Sequence, residues 1–234
     1  MHRTNSLSKI RKLPSSPSVK SGHRIFLLSP ANLAGIRAGY VLKADAESEL
    51  ACRLREKGVP LGELFTFLSS LYFRGKLAYA RKFAAPPPGV CGSYVITATM
   101  GLLDPETIVN SEQVREMATG RIDADEPRYR TPFDLGCRLL FEQIHDSCDI
   151  VLLGSIATPK YVEPLLQVFS ERLLFPLEFV GRGDMSRGGL MLRAVEDQSE
   201  LIYAPVLYAM RHGVRPPKLS RPNRRQDSAS GTTS

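Results

Sequence analysis

The sequence has no tryptophan and only four cysteines and four histidines in 234 residues. Each scarcity removes a class of chemistry. Cys52, Cys91, Cys137 and Cys148 form no C-x-x-C pair, so neither a zinc ribbon nor a dithiol redox motif is present. They read as reduced, buried residues. His145 is the one histidine well inside the folding region; His2, His23 and His212 stand in or beside the termini. Ser–His–Asp and Cys–His catalysis therefore lack a base. His145 reads as a structural cation at a helix end. No stretch approaches the ~18 consecutive apolar residues of a membrane span. The amino-terminal segment lacks the apolar core of a secretory signal. The expectation is a cytoplasmic protein without membrane contact. Neither G-x-G-x-x-G nor G-x-x-x-x-G-K-[ST] occurs. Nothing calls for a cofactor or a metal ion. Any catalysis rests on carboxylates, arginine, lysine, backbone amides and hydroxyls.

What is abundant is positive charge, and it is unevenly placed. The formal net charge is +7. Residues 1–23 carry five basic residues and no acid, and residues 211–234 carry six basic residues against Asp227. The stretch 24–210 is left with 20 basic and 23 acidic residues, so it is slightly acidic. A basic fold surface for nucleic acid is not implied. The termini are rich in Ser, Pro, Lys and Arg and read as disordered tails. Such tails either solubilise the chain or hold an anionic polymer through phosphate charge. The organisation expected is a tail at 1–23, one α/β domain at 24–213 and a tail at 214–234.

Within the domain, residues 24–29 (RIFLLS) form a short apolar run stopped by Pro30 and read as a buried strand. A Gly- and Ala-containing connection covers 30–44. Asp45 can cap a helix that runs to about Lys57, with Gly58 as its stop. From Pro60 to Ala84 apolar residues recur at helical spacing, with Gly75 as a candidate break. Residues 93–99 (SYVITAT) are β-branched and read as a strand. Residues 106–130 read as a surface excursion with one short helix after Ser111. Thr131 and Pro132 look like a helix start, and that helix should run to about His145. Residues 149–153 (DIVLL) form a strand, and Thr158 with Pro159 opens a further helix to about Leu174. Residues 177–181, 189–195 and 200–206 read as short strands. Strands alternating with helices predict a three-layer α/β fold with a mainly parallel sheet, helices on both faces and an antiparallel edge at the end of the chain.

In such sheets ligands bind beyond the carboxyl ends of the strands. Four unusual loops follow four of the expected strands. In GSIATPKY (154–161), Gly154, Ser155, Thr158 and Lys160 could meet an anion at a helix start, or Thr158 could simply cap the helix. GRGDMSRGG (181–189) offers Arg182, Gly183, Ser186 and Arg187 for an anion and Asp184 for acid–base work. The alternative there is a turn with Asp184 paired to an arginine. The loop after the first strand supplies Ser29, Asn32 and Arg37, and Arg74 and Lys76 lie beside the expected helix break. Those two cations fit a polyanion-binding wall or a solvated helix face equally well. Asp104, in residues 101–105 (GLLDP), is a candidate base or a helix cap, with Gly101 in the same loop.

Two stretches carry a resemblance. Residues 64–84 (LFTFLSSLYFRGKLAYARKFA) and 94–109 (YVITATMGLLDPETIV) resemble an uncharacterised bacterial domain family. That family pairs a Leu-Phe-x-x-x-Ser-x-Leu-x-Phe-Arg helix with a Gly-Leu-Leu-Asp-Pro loop. Ser69, Ser70, Phe73, Arg74, Ala80 and residues 101–105 carry the match. Met100 stands where the family often has histidine. Such proteins are loosely similar to α/β folds of the uracil-DNA-glycosylase and tRNA-base-modification kind. The resemblance implies a nucleobase or nucleic-acid ligand. The function expected is binding of a phosphate-bearing nucleotide or nucleobase at the strand-end loops, with N-glycosidic hydrolysis as its extension. The alternative is a non-catalytic nucleic-acid or protein adaptor that works through the basic tails.

Overall fold

The computed structural model describes residues 22–144 and 148–211, together with 213, 214, 216, 217 and 219. His145 and the greater part of both tails lie outside the described residues. The chain runs β1 (His23–Leu28), α1 (Ile36–Leu42), α2 (Glu49–Glu56), β2 (Val59–Pro60), α3 (Leu61–Ser69), α4 (Leu71–Phe83), β3 (Ser93–Ile96), β4 (Leu102–Leu103), β5 (Ile108–Val109), α5 (Ser111–Thr119), α6 (Pro127–Gln143), β6 (Cys148–Leu153), α7 (Pro159–Phe169), β7 (Leu173–Pro176), α8 (Asp184–Glu196) and β8 (Tyr203–Pro205). Short 3₁₀ turns follow α7, β7 and β8.

Six strands make one sheet in the order β4-β3-β1-β6-β7-β8. The four inner strands are parallel, and β4 and β8 pair antiparallel at the two edges. A small second sheet pairs β2 with β5. The fold is the expected three-layer α/β arrangement. It follows from the uninterrupted apolar content of the inner strands. Phe26 and Leu28 of β1 face a core shared with α1–α5 and α8, while Ile25 and Leu27 face a second core shared with α6 and α7. A strand buried on both faces needs large apolar groups at every position. No helix of the described residues is long and apolar enough to cross a membrane.

Several boundaries differ from the sequence reading, each for a local reason. Helix α2 starts at Glu49, because the Ser48 hydroxyl accepts the Ala51 amide at 3.3 Å; Asp45 plays no part in the cap. The long helix of 60–84 breaks at Ser70, whose φ is +49°, and Gly75 continues inside α4. Helix α6 starts at Pro127 with Glu126 as cap, so Pro132 sits within the helix. The 149–153 strand extends to Cys148, and the apolar stretch 173–176 forms β7 where 177–181 had been the expected strand. The largest difference is α8. Residues 189–195 are helical, and the antiparallel partner of β7 is only residues 203–205.

Helix α8 exists because two glycines let it lie directly against α4. A Cβ on Gly75 would stand 2.7 Å from the Gly188 carbonyl oxygen, and one on Gly188 would stand 2.7 Å from the Leu71 carbonyl oxygen. Real side chains do not tolerate such approaches, so the helix pair is written in glycine.

Candidate functional site

The carboxyl ends of β1, β3, β6 and β7 share one rim because these strands are parallel. From β1 the chain crosses to β3 on one side, and β6 lies on the other. The connections reverse direction between β1 and β6, where open α/β sheets form their binding crevice. The loops at 29–35 and 154–158 leave the sheet at this point.

Two cavities border the rim. The larger, about 300 Å³, is lined by residues 30–34 after β1, by Phe65, Met117, Ile122 and Tyr161, and by Lys160. The smaller, about 180 Å³, is lined by Gly154, Ile156, Phe179 and three arginines, Arg182, Arg187 and Arg211. No acidic side chain lines the smaller cavity among the described residues. Segment 154–161, the turn after β6 and the start of α7, contributes to both and so lies between a cavity of mixed polarity and one lined by arginines.

The arginines are held from behind. Arg187 donates from Nε and Nη2 to the Phe179 carbonyl at 3.2 and 3.1 Å, and its guanidinium stands 5.4 Å over the Phe179 ring. Its ion pair with Asp184 is loose, at 3.8 Å, and Asp184 is largely exposed. Arg182 donates to the Glu178 carbonyl at 3.0 Å and to the Ser186 hydroxyl at 3.3 Å. Arg211 is exposed.

Behind the rim lies a polar group sealed in the core. Lys76 of α4 has no exposed surface. Its Nζ donates to the Ser29 carbonyl and, at 3.0 Å, to the Ser29 hydroxyl. The same atom lies 4.1 Å from the Tyr72 ring centroid. Burial pulls the Lys76 pKa down to about 7; the Asp184 carboxylate opposes that shift and Arg187 adds to it. The Tyr72 hydroxyl is buried and has no hydrogen-bond partner among the described residues. Its pKa is raised, chiefly by burial, with Arg187, Asp184 and the Ser29 hydroxyl as the charged and polar groups acting on it. Burial also raises the pKa of Tyr161, on which Tyr72 and Asp184 act.

The residues singled out in the sequence divide. Gly154, Arg182 and Arg187 meet in the smaller cavity, and Asn32 and Lys160 line the larger. Ser29 is buried against Gly154 and Lys76. Ser155 accepts the Ala157 amide at 3.3 Å, and Thr158 takes the cap position of α7 without a capping hydrogen bond. Gly183 is the residue before α8, and Ser186 supports Arg182. Arg37 donates to the Phe67 carbonyl at 2.9 Å, away from both cavities. Arg74 is exposed on α4 and lines neither. Gly101 turns the chain with φ +67° against Pro132 of α6. Asp104 accepts the Glu106 amide at 2.8 Å and the Cys91 thiol at 2.9 Å, also away from the cavities. Lys76 as a sealed group, Tyr72, and Arg211 as a cavity residue were not read as site residues. Positions 72, 73, 76, 77 and 80 make one helical stripe, and that spacing could have placed Lys76 inside.

No family model, curated protein or solved structure matches the chain, so the resemblance of residues 64–109 rests on those residues alone.

Proposed function

We propose that the chain binds a small phosphate-bearing ligand of the nucleotide kind across the two cavities. The observation that carries this reading is the smaller cavity, whose lining includes three arginines and no acidic residue. Guanidinium forks match phosphate oxygens, and an arginine-lined concavity whose one ion pair, Arg187 with Asp184, is loose at 3.8 Å favours an anionic guest. The apolar side chains among the walls of the larger cavity, Phe65, Ile122 and Tyr161, suit a flat ring such as a nucleobase. Asn32 and Lys160 supply polar contacts at its edge. Asp104 and Asp184 line neither cavity, so the reading is of binding, and base excision is not part of it.

The test is thermal stability in the presence of inorganic phosphate, adenosine 5′-monophosphate or adenosine. A ligand that binds only the folded state stabilises it by about 2.7 kcal/mol at a hundred times its Kd. The two phosphate-bearing compounds should raise the melting temperature, and adenosine should do so less. Arg182→Ala combined with Arg211→Ala should abolish the phosphate effect. A melting temperature unmoved by all three compounds would defeat the reading.

A further inference from the structure

We propose that the nucleotide held across the two cavities is the phosphorylated end of a nucleic-acid strand, and that the carboxyl-terminal segment from Arg211 onward guides the phosphates that follow it. This names the ligand of the binding reading and rests on it.

The carboxyl-terminal segment is part of the cavity before it becomes a tail. Arg211 and Gly213 line the arginine cavity. Gly181 has φ +72°, and a Cβ there would collide with the Val214 carbonyl. Arg182 donates from Nη1 to the Pro217 carbonyl at 3.3 Å, so an arginine of the cavity holds the segment down. A Cβ on Gly189 of α8 would lie 3.7 Å from Leu219. The chain therefore crosses loop 180–182 and the first half of α8 on its way out.

Positive charge accumulates along this path. Residues 211–225 include Arg211, Arg215, Lys218, Arg221, Arg224 and Arg225, with no acid among them. The stretch 24–210, with 20 basic and 23 acidic residues, does not attract a polyanion. The three arginines of the cavity already match a lone nucleotide, whereas a run of cations without acids matches several phosphates in series. The amino-terminal cations are placed differently. They join the fold at His23, the amino end of β1, whereas the rim lies at the carboxyl end of that strand. Six strand residues, about 20 Å, separate the two.

The cavity itself selects a strand end. A terminal phosphate monoester carries about two negative charges at neutral pH, and an internal diester carries only one. Three arginines, one of them loosely paired with Asp184, match the doubly charged group better. A space of about 180 Å³ suits a single phosphate group, and the neighbouring cavity of about 300 Å³ takes its base. The phosphates that follow, with one charge each, fall to the cations of 215–225.

The test is fluorescence anisotropy of the full chain with three short, internally labelled single strands: one 5′-phosphorylated, one 3′-phosphorylated and one with hydroxyls at both ends. One phosphorylated strand should bind at least about tenfold more tightly than the hydroxyl-ended strand, the gain from added charge-assisted hydrogen bonds. Combining Arg221→Ser, Arg224→Ser and Arg225→Ser should make the slope of log affinity against log salt shallower by about 2, at about 0.7 per cation removed. Combining Arg3→Ser, Lys9→Ser, Arg11→Ser and Lys12→Ser should keep the wild-type slope. Equal binding of all three strands would overturn the terminal-phosphate assignment. A slope unchanged by the carboxyl-terminal substitutions, or reduced as much by the amino-terminal ones, would overturn the guiding role. Heparin binding as tightly as the phosphorylated strand would overturn both. Inorganic phosphate binding without any preference among strands defeats only this inference; absence of phosphate binding as well defeats the binding reading.

Discussion

Gly75 of α4 and Gly188 of α8 meet backbone to backbone, and neither position has room for a methyl group. This contact carries Arg187 to the helix that holds Tyr72 and Lys76. Gly188→Ala should destabilise the fold by about 1–3 kcal/mol, the usual cost of overpacking. Gly189→Ala is the matched control. A Cβ there meets only Leu219, at 3.7 Å, and alanine favours a helix by up to about 1 kcal/mol over glycine. Urea unfolding of the two variants should move in opposite directions.

Lys76 should make stability depend on pH. Its folded pKa, about 7, lies below the ordinary 10.5. Between those values the unfolded chain binds a proton that the folded chain does not, so stability rises with pH across that window. Below about 7 both states hold the proton and the contribution is flat. Above 10 the buried tyrosines reverse the trend, because burial raises the pKa of groups such as Tyr72. Urea midpoints measured from pH 7 to 9 should climb in the wild type. In Lys76→Met the climb should shrink.

The three cavity arginines should separate into structural and ligand-facing roles. Arg187 is mostly buried and anchors the Phe179 carbonyl with two hydrogen bonds. Arg187→Ala should cost about 1.5–3 kcal/mol of stability, the range for hydrogen bonds to charged groups. Arg211→Ala should leave stability within about 0.5 kcal/mol, as exposed substitutions do. Its effect should appear in phosphate affinity and its salt dependence. Calorimetry with inorganic phosphate beside urea unfolding distinguishes the two.

Asp104 should prove to be a local brace. Its carboxylate accepts the Cys91 thiol, and that hydrogen bond, with burial and the Asp104 charge, raises the Cys91 pKa. Asp104→Asn should speed alkylation of Cys91 by iodoacetamide at pH 8 and leave phosphate binding unchanged. Loss of phosphate binding in that variant would bring Asp104 into the site.

The layered fold was legible because it is written in apolar runs. Residues 24–29 and 149–153 could hardly be anything but strands buried on both faces, and β1 and β6 are those strands. Segments 154–157 and 181–187 line one cavity, but the sequence did not show that they would converge, and the strand expected at 177–181 before the second of them is a 3₁₀ turn instead. Helix α8 was not legible. Its two adjacent glycines lower helix propensity, and only the approach of α4, which no local pattern shows, explains why glycine is required there. Gly101 was misread for a related reason. A glycine that lets a ligand near the backbone and one that makes a left-handed turn against another helix look alike in sequence. Lys76 was hidden because lysine on a helix next to Arg74 suggests a wet surface, although its spacing from Tyr72 and Ala80 puts it on the apolar stripe.

The α4–α8 contact also sets a timetable for synthesis. Ser29, Tyr72 and Lys76 leave the ribosome early, but α8 emerges only after all four parallel strands have been made. Until then Gly75 of α4 lacks the backbone of Gly188 that packs against it. A chain cut short before residue 184 would lack both the cover for that helix and the guanidinium of Arg187. The arginine-lined cavity and the segment from residue 184 onward therefore stand or fall together.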